Sequence, residues 1–195
     1  MAESDTWIKA RAEYGMIEPF TPSQVRYDAE TDTPLISYGL SSYGYDLRLS
    51  GVEFKVFRHV PGTVVDPKHF NPQNLETVPL HHDAHGAYFV LPGLSYGLGV
   101  AYEALRVPSN VMVTCIGKST YARCGIIVNV SPAEAGWQGH LTLEFSNSSP
   151  ADCRIYAWEG VCQLLFEAGA QCQTTYADRN GKYQNQPHLV VPARL

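Results

Sequence analysis

The strongest constraint on this chain is a pattern of punctuation. Short runs rich in β-branched, aromatic and aliphatic residues alternate with turn residues about every eight to twelve positions. Examples are Tyr45–Leu49, Val52–Phe57, Tyr88–Leu91, Val111–Ile116, Ile126–Val130, His140–Phe145, Arg154–Ala157 and Val161–Phe166. The 13 Pro and 16 Gly fall mostly between these runs. Such runs are too short for ordinary helices, and their spacing suits sheets that fold back on themselves. The pattern predicts an all-β sandwich or barrel. One helix is predicted at 4–14, where Ser4 or Asp5 caps it, Ile8 and Ala12 share a face, and Gly15 ends it. From about Thr175 the chain turns polar and is broken by Gly181 and Pro187. That tail reads either as a loose terminus or as a segment that folds over something. No repeat, low-complexity stretch or linker interrupts the text, so one domain over 1–195 is expected.

At 195 residues the chain is long enough to build its own core, burying roughly 70% of its unfolded surface. With 45% hydrophobic and 17% charged residues, disorder and collagen are excluded. The balance of 14 Lys+Arg against 19 Asp+Glu leaves a net charge of -5. A protein that wraps nucleic acid shows the opposite excess, so any anionic ligand must meet a local basic cluster. No apolar run reaches the length of a membrane span. The N-terminal MAESDTWIKARAEYG lacks the apolar core and cleavage site of a secretory signal. Cys115, Cys124, Cys153, Cys162 and Cys172 are odd in number and form no C-x-x-C pair. They read as reduced thiols in a cytosolic protein, not as a disulfide framework or zinc ribbon.

Two segments concentrate chemistry. In IGKSTYARCG, residues 116–125, a strand runs into Gly117, followed by Lys118, Ser119, Thr120 and Arg123. Glycine allows close backbone approach, a helix start offers free N–H groups, and two cations add charge. The segment reads either as a phosphate site or as a capped turn with surface charges. It is not a Walker A loop, because Met112 stands where the first Gly is required. In SPAEAGWQGHLTLEFSN, residues 131–147, Leu141, Leu143 and Phe145 alternate with His140, Thr142, Glu144 and Ser146. Glu144 is either a proton-transferring carboxylate or part of a solvated strand face. Glu134 lies in the preceding loop, and Trp137 beside it is either a platform for a base or a core aromatic. Tyr176, Lys182, Tyr183 and Gln186 suit a nucleotide-covering lid, with a disordered polar terminus as the alternative. His81, His82 and His85 are placed in a loop, because Pro79 and Gly86 bracket them. The zinc-deaminase signature, H-x-E with P-C-x-x-C, is missing, as is a G-x-S-x-G elbow.

Taken together, GKSTYARCGIIVNV and the following GW-x-G-H-LTLEFSN resemble the dCTP deaminases of the dUTPase-like superfamily. MIEPF, ISYGLSSYGYDLR, EFKVF, VDPKHF, EGVCQLLF and YADRNGKYQNQ are similar to family segments in the family order. The resemblance implies a distorted β-barrel or jelly-roll with a short N-terminal helix and a few other short helices. It implies a homotrimer with active sites at subunit interfaces, in the cytoplasm. It implies zinc-free hydrolysis of dCTP to dUTP and ammonia, with Mg²⁺ held mainly by the triphosphate. By motif matching, Glu144 takes the place of the catalytic carboxylate. Lys118, Ser119, Thr120, Tyr121, Ala122 and Arg123 match the substrate-binding loop, and Ser119 and Arg123 within it match catalytic positions. The backbone of Thr142 and Leu143 matches nucleoside contacts. Glu134 and Trp137 match the loop before the strand, and Gln163, Tyr176, Lys182 and Gln186 match triphosphate and tail contacts. Family members are often inhibited by dTTP.

The chain departs from the usual family text at Glu134-Ala135-Gly136-Trp137, which lacks the customary Pro, at Asn185 and Pro187-His188 in the tail, and at SYGLGVAY, residues 95–102. These changes leave room for an altered cytosine nucleotide as substrate. Two further readings follow from the same fold: a dUTPase or bifunctional enzyme releasing dUMP and pyrophosphate, and a non-catalytic nucleotide-binding regulator.

Overall fold

The computed structural model describes residues 1–194. Helix α1 (Asp5–Ala12) starts after Ser4, an extended N-cap residue whose side chain makes no capping bond. Its one fully buried residue is Ile8, which anchors it to the core. Gly15, with φ of +79°, turns the chain away from the helix axis. The strands then follow in order: β1 (Ile17–Glu18), β2 (Val25–Tyr27), β3 (Pro34–Ser41), β4 (Gly44–Phe57), β5 (Leu75–Thr77), β6 (His81–Asp83), β7 (Gly86–Leu91), β8 (Tyr96–Arg106) and β9 (Val111–Gly117). After a one-turn helix, α2 (Ser119–Ala122), come β10 (Ile126–Asn129), β11 (Gln138–Asn147), β12 (Cys153–Tyr156) and β13 (Gly160–Ala168).

Among the described residues, ten strands join one sheet whose spine runs β10-β11-β8-β4-β13-β9. A second sheet, β12-β7-β6, covers it. The main sheet curls, and its two ends approach: a Cβ built on Gly117 of β9 would lie 3.1 Å from the Val128 carbonyl oxygen of β10. The expected all-β, barrel-like architecture is therefore what the chain forms. Phe54 of β4 joins the layers. Its ring stacks on Phe89 of β7 at 5.2 Å and tilts against Phe145 of β11 at 5.4 Å. Each such aromatic pair contributes about 0.5–1.5 kcal/mol beyond area burial.

Three expectations need correction. The runs Tyr45–Leu49 and Val52–Phe57 are a single strand, β4, with a bulge. Leu49 pairs with Ala101 and Phe54 with Gly99, so residues 50–53 face only Val100. There the chain passes beneath Trp158, and a Cβ on Gly51 would lie 2.4 Å from that indole. Second, the central strand β8 was hidden in the segment that departs from the family text. Gly97 and Gly99 interrupt its alternation because Phe54 and Leu49 occupy the space: a Cβ at either would approach them to 2.6 Å. Third, the histidine-rich segment placed in a loop contributes β6. His81 stacks on Tyr88, and Asp83 pairs with Arg154 at 2.6 Å.

The Arg48–Glu103 ion pair lies inside the sheet. Arg48 Nε donates to Glu103 Oε1 at 2.7 Å, and the Arg48 backbone N–H donates to Oε2 at 3.0 Å. The guanidinium is sandwiched between the Tyr38 and Tyr102 rings, 4.6 and 4.5 Å from their centroids. Burial, with the Glu103 carboxylate behind it, pushes the nearby Tyr45 hydroxyl up to about 12.

Candidate active site

Strand β11 carries the centre of the site. Its alternation holds as read: Leu141, Leu143 and Phe145 are buried, while Glu144 and Ser146 are exposed. β10 ends at Asn129, directly opposite Glu144. The edge of β11 from Leu141 to Leu143 consequently has no strand partner on that side among the described residues. The space left by β10 becomes a cleft of about 680 Å³. Glu144 lines it together with Glu134, Trp137, Thr142, Tyr176, Lys182 and Gln186, all named from the sequence. Phe70 and Tyr96 supply apolar walls. Asn129 Nδ2 donates to Glu144 Oε2 at 3.1 Å, which fixes the orientation of the carboxylate.

The tail closes one side of this cleft. The Tyr176 backbone N–H donates to the Ala135 carbonyl at 2.9 Å, and its hydroxyl accepts from the Tyr183 N–H at 3.0 Å. Trp137 Nε1 donates to the Tyr183 carbonyl at 2.9 Å. Trp137 is only 4% exposed, so the core-aromatic reading describes most of its ring. The Asn185 N–H donates to the Gln138 carbonyl, and the Gln186 carbonyl accepts from the His140 N–H. The Thr142 hydroxyl donates to Gln186 Oε1 at 2.9 Å and accepts from the Val191 N–H at 3.1 Å. Gln186 is thereby almost fully buried. Lys182 stays exposed, with its ammonium 5.3 Å from the Tyr183 ring centroid. Glu134 pairs with Arg179, a partner the sequence did not suggest. Leu143 is fully buried, so only its backbone is available at the cleft edge.

The segment Lys118–Arg123 lies elsewhere. Residues 118–123 do not line the cleft of Glu144. Helix α2 sits at the Ile126 end of β10, and Glu144 faces its Asn129 end. Three strand steps separate those ends, roughly 10 Å. Ser119, Thr120, Ala122 and Arg123 are exposed, while Tyr121 is buried with its hydroxyl accepting from the Tyr156 N–H at 2.9 Å. Burial strongly raises the pKa of that phenol. Lys118 turns back into the protein, where its ammonium donates to Asp46 Oδ2 at 2.6 Å and to the Ser37 hydroxyl at 3.1 Å. Thr120 borders a second, more open hollow of about 520 Å³ that includes Arg26, Ser37, His85 and Glu159. Gln163 is also remote from Glu144: it sits on β13 opposite Asp46 and donates to the Ser41 hydroxyl at 3.0 Å. The 15 candidate residues thus divide between two places on one chain.

Sequence reasoning missed Asn129, Asp46 and Arg179. Asn129 ends a predicted strand, and only the β10–β11 register sets it against Glu144. Asp46 is far from Lys118 in sequence and meets it across two strand pairings.

Comparison with known proteins agrees with this architecture. A family model described as dCTP deaminase-like matches residues 3–169. The dCTP deaminase of Chlamydia felis is 51% identical over 192 residues, covering 97% of each chain. That of Albidiferax ferrireducens is 50% identical over the same length and coverage. The solved 2'-deoxycytidine 5'-triphosphate deaminase of Agrobacterium tumefaciens superposes with a TM-score of 0.57 at 19% identity. The match covers 86% of this chain but only 48% of that longer one, and shares the fold. No described helix is long and apolar enough to cross a membrane. A matched family model over most of the chain, and relatives half identical from end to end, make this protein a member of the dCTP deaminase-like family.

Proposed function

We propose that the protein hydrolyses dCTP to dUTP and ammonia, with Glu144 as the proton-transferring group. One observation carries the reading: Glu144, on a chain half identical throughout to proteins named dCTP deaminase, faces a cleft sized for a small ligand and bordered by the tail. Water adds to C4 of cytosine while Glu144 accepts its proton. N3 is protonated as the C4–N3 double bond opens. The amine then takes a proton, leaves as ammonia, and C4=O forms, so the atoms balance as dCTP plus water. A positioned acid–base group contributes about 10²–10⁴-fold to such steps.

Ser119 and Arg123 are assigned to the same reaction, and their distance from Glu144 supports a shared site between subunits. Met112, Ile116 and Ile127 are outward-facing apolar residues of β9 and β10, 43%, 49% and 58% exposed. They give the α2 side an apolar contact surface, consistent with a homotrimer. Arg123, the exposed cation of that segment, would then face phosphate from one subunit, with Gln163 and the Asp46-held Lys118 behind it. Glu134, Trp137, Thr142, Leu143, Tyr176, Lys182 and Gln186 would face nucleoside and phosphate from another. Mg²⁺ enters with the triphosphate, whose hard oxygens suit it. The cleft carboxylates support that assignment, because Glu134 is engaged by Arg179 and Glu144 by Asn129. dTTP, with the same sugar and phosphates, is expected to compete for the cleft. Five free thiols and a nucleotide substrate fit the cytoplasm.

The test is incubation with dCTP and Mg²⁺, with nucleotides resolved by chromatography, ammonia assayed, and mass measured by sedimentation. Ammonia with accumulating dUTP from a trimer is the expected result. Ammonia with dUMP and pyrophosphate would make the enzyme bifunctional, and unchanged dCTP would overturn the reading.

A further inference from the structure

Two histidines meet where the tail joins the barrel. The His140 ring of β11 and the His188 ring of the tail stack with centroids 4.2 Å apart and planes 18° from parallel. His140 Nδ1 lies 3.0 Å from the Ala101 carbonyl oxygen. A carbonyl only accepts, so Nδ1 carries the proton and Nε2 of the neutral ring does not. His188 Nε2 is shut off from solvent and has no hydrogen-bond partner among the described residues. The pair brackets the contacts that seat Gln186: His140 donates its own N–H to the Gln186 carbonyl, and His188 follows two positions later.

We propose that His140 and His188 are positioning residues forming a pH-dependent clamp, in which two neutral rings stack to hold the tail over the cleft and protonation releases it. Stacking brings two flat neutral rings together without repulsion. One added proton forces a charged N–H into a buried position with no acceptor, and two would set like charges face to face. Among the described residues, the surroundings offer no compensation. Tyr102 of β8 meets His188 edge-on at 6.2 Å, and the Tyr102 ring also packs on the cationic Arg48, whose carboxylate partner Glu103 is already engaged. Farther along the tail, Glu53 of β4 accepts the Val190 N–H at 2.8 Å and pairs with Lys55. Consistent with this geometry, burial first and the neighbouring His140 second hold the His188 pKa below its ordinary value.

A group whose pKa is lowered in the closed form favours closure at high pH. Closure is full above the ordinary histidine value of about 6.5 and is lost as pH falls from there through the lowered value. Between about pH 7.5 and 5.5 the open-to-closed ratio rises up to about tenfold for one such histidine.

The test is amide exchange of the full-length protein at those two pH values, with intrinsic rates divided out, read at Gln184–Val191. In the wild type, opening of this segment increases up to about tenfold at the lower pH. His188→Phe keeps an aromatic ring against His140 but does not titrate, and its response is flat or strongly reduced. His140→Phe provides the same control from the barrel side. A wild-type tail insensitive to pH, or an undiminished response in both variants, overturns the clamp. As a functional readout, the KM for dCTP of the wild type rises at low pH more steeply than that of His188→Phe. The clamp rests on the proposed role of the cleft only for this last readout. Exchange is measured without substrate, so failure of the clamp and failure of the deaminase reading are separable.

Discussion

The α2 segment, which is basic, and the cleft beneath the tail, lined by Glu134, Glu144 and Lys182, are built in opposite ways. Lys118–Arg123 is contiguous, and its residues are displayed by one short turn after β9. The cleft draws on the loop before β11, on β11 itself, on the end of β10 and on the tail. In the first region the backbone places the side chains directly. In the second, long-range pairing places them, and polar cross-contacts hold them there. Contiguity also misleads. Lys118 belongs to the basic string by sequence, yet Asp46 holds it inside, while Arg123 stays exposed. Which cation is available to an anion is decided by its partner, not by its position in a motif.

The largest effect that separates the regions comes from Glu144→Gln. This variant is expected to lose about 10²–10⁴-fold in kcat while still binding dCTP, as read by steady-state rates and calorimetry. Near-normal turnover would move the chemistry out of the cleft. Next, Asp46→Ala leaves the Lys118 ammonium, 12% exposed, without its carboxylate. The expected cost is about 3 kcal/mol, seen as a fall in Tm of roughly 6–12 °C. An unchanged Tm would show that Lys118 reaches water easily and that the two regions differ less than described. Smaller again, Asn129→Ala frees the Glu144 carboxylate from the amide that anchors it. About a tenfold fall in kcat with little change in KM is expected, from the loss of a hydrogen bond to a charged group. A change confined to KM would assign Asn129 to binding instead. Smallest is Arg179→Ala. Both partners of the Arg179–Glu134 pair are about half exposed, so thermal unfolding should register no more than about 1 kcal/mol.

Much of the fold is legible in the text because strand residues alternate. The runs at Tyr88–Leu91, Val111–Ile116, Ile126–Val130, His140–Phe145, Arg154–Ala157 and Val161–Phe166 all fall on observed strands. Among the strands that escape, the most consequential is the central one, β8, YGLGVAYEALR. Its glycines look like turn signals when read locally. They are strand residues because Phe54 and Leu49, more than forty positions away, fill the volume a side chain would need. The break read at Ser50-Gly51 is a bulge inside β4 for a related reason: the Trp158 ring lies on Gly51. The site divides the same way. Glu144, Thr142, Glu134, Trp137 and the tail residues Tyr176, Lys182 and Gln186 meet in one cleft, while Lys118–Arg123 and Gln163 lie outside it. Asn129, Arg179 and the His140–His188 stack carry no local signal, since each is half of a pair whose other half lies 15 or more residues away.

By itself, then, the sequence determined the class of fold, the alternation that turns Glu144 outward, and the family to which the chain belongs. These depend on neighbours within a few residues or on long matching strings. Only the tertiary structure decided which charges remain available. It paired Lys118 with Asp46 and Glu134 with Arg179, and it set Asn129 on Glu144. It also laid the tail across the open edge of β11, with His188 against His140. The reason is physical: a side chain's chemistry is set by its desolvation and its partners, and in a sheet protein both come from strands distant in the chain.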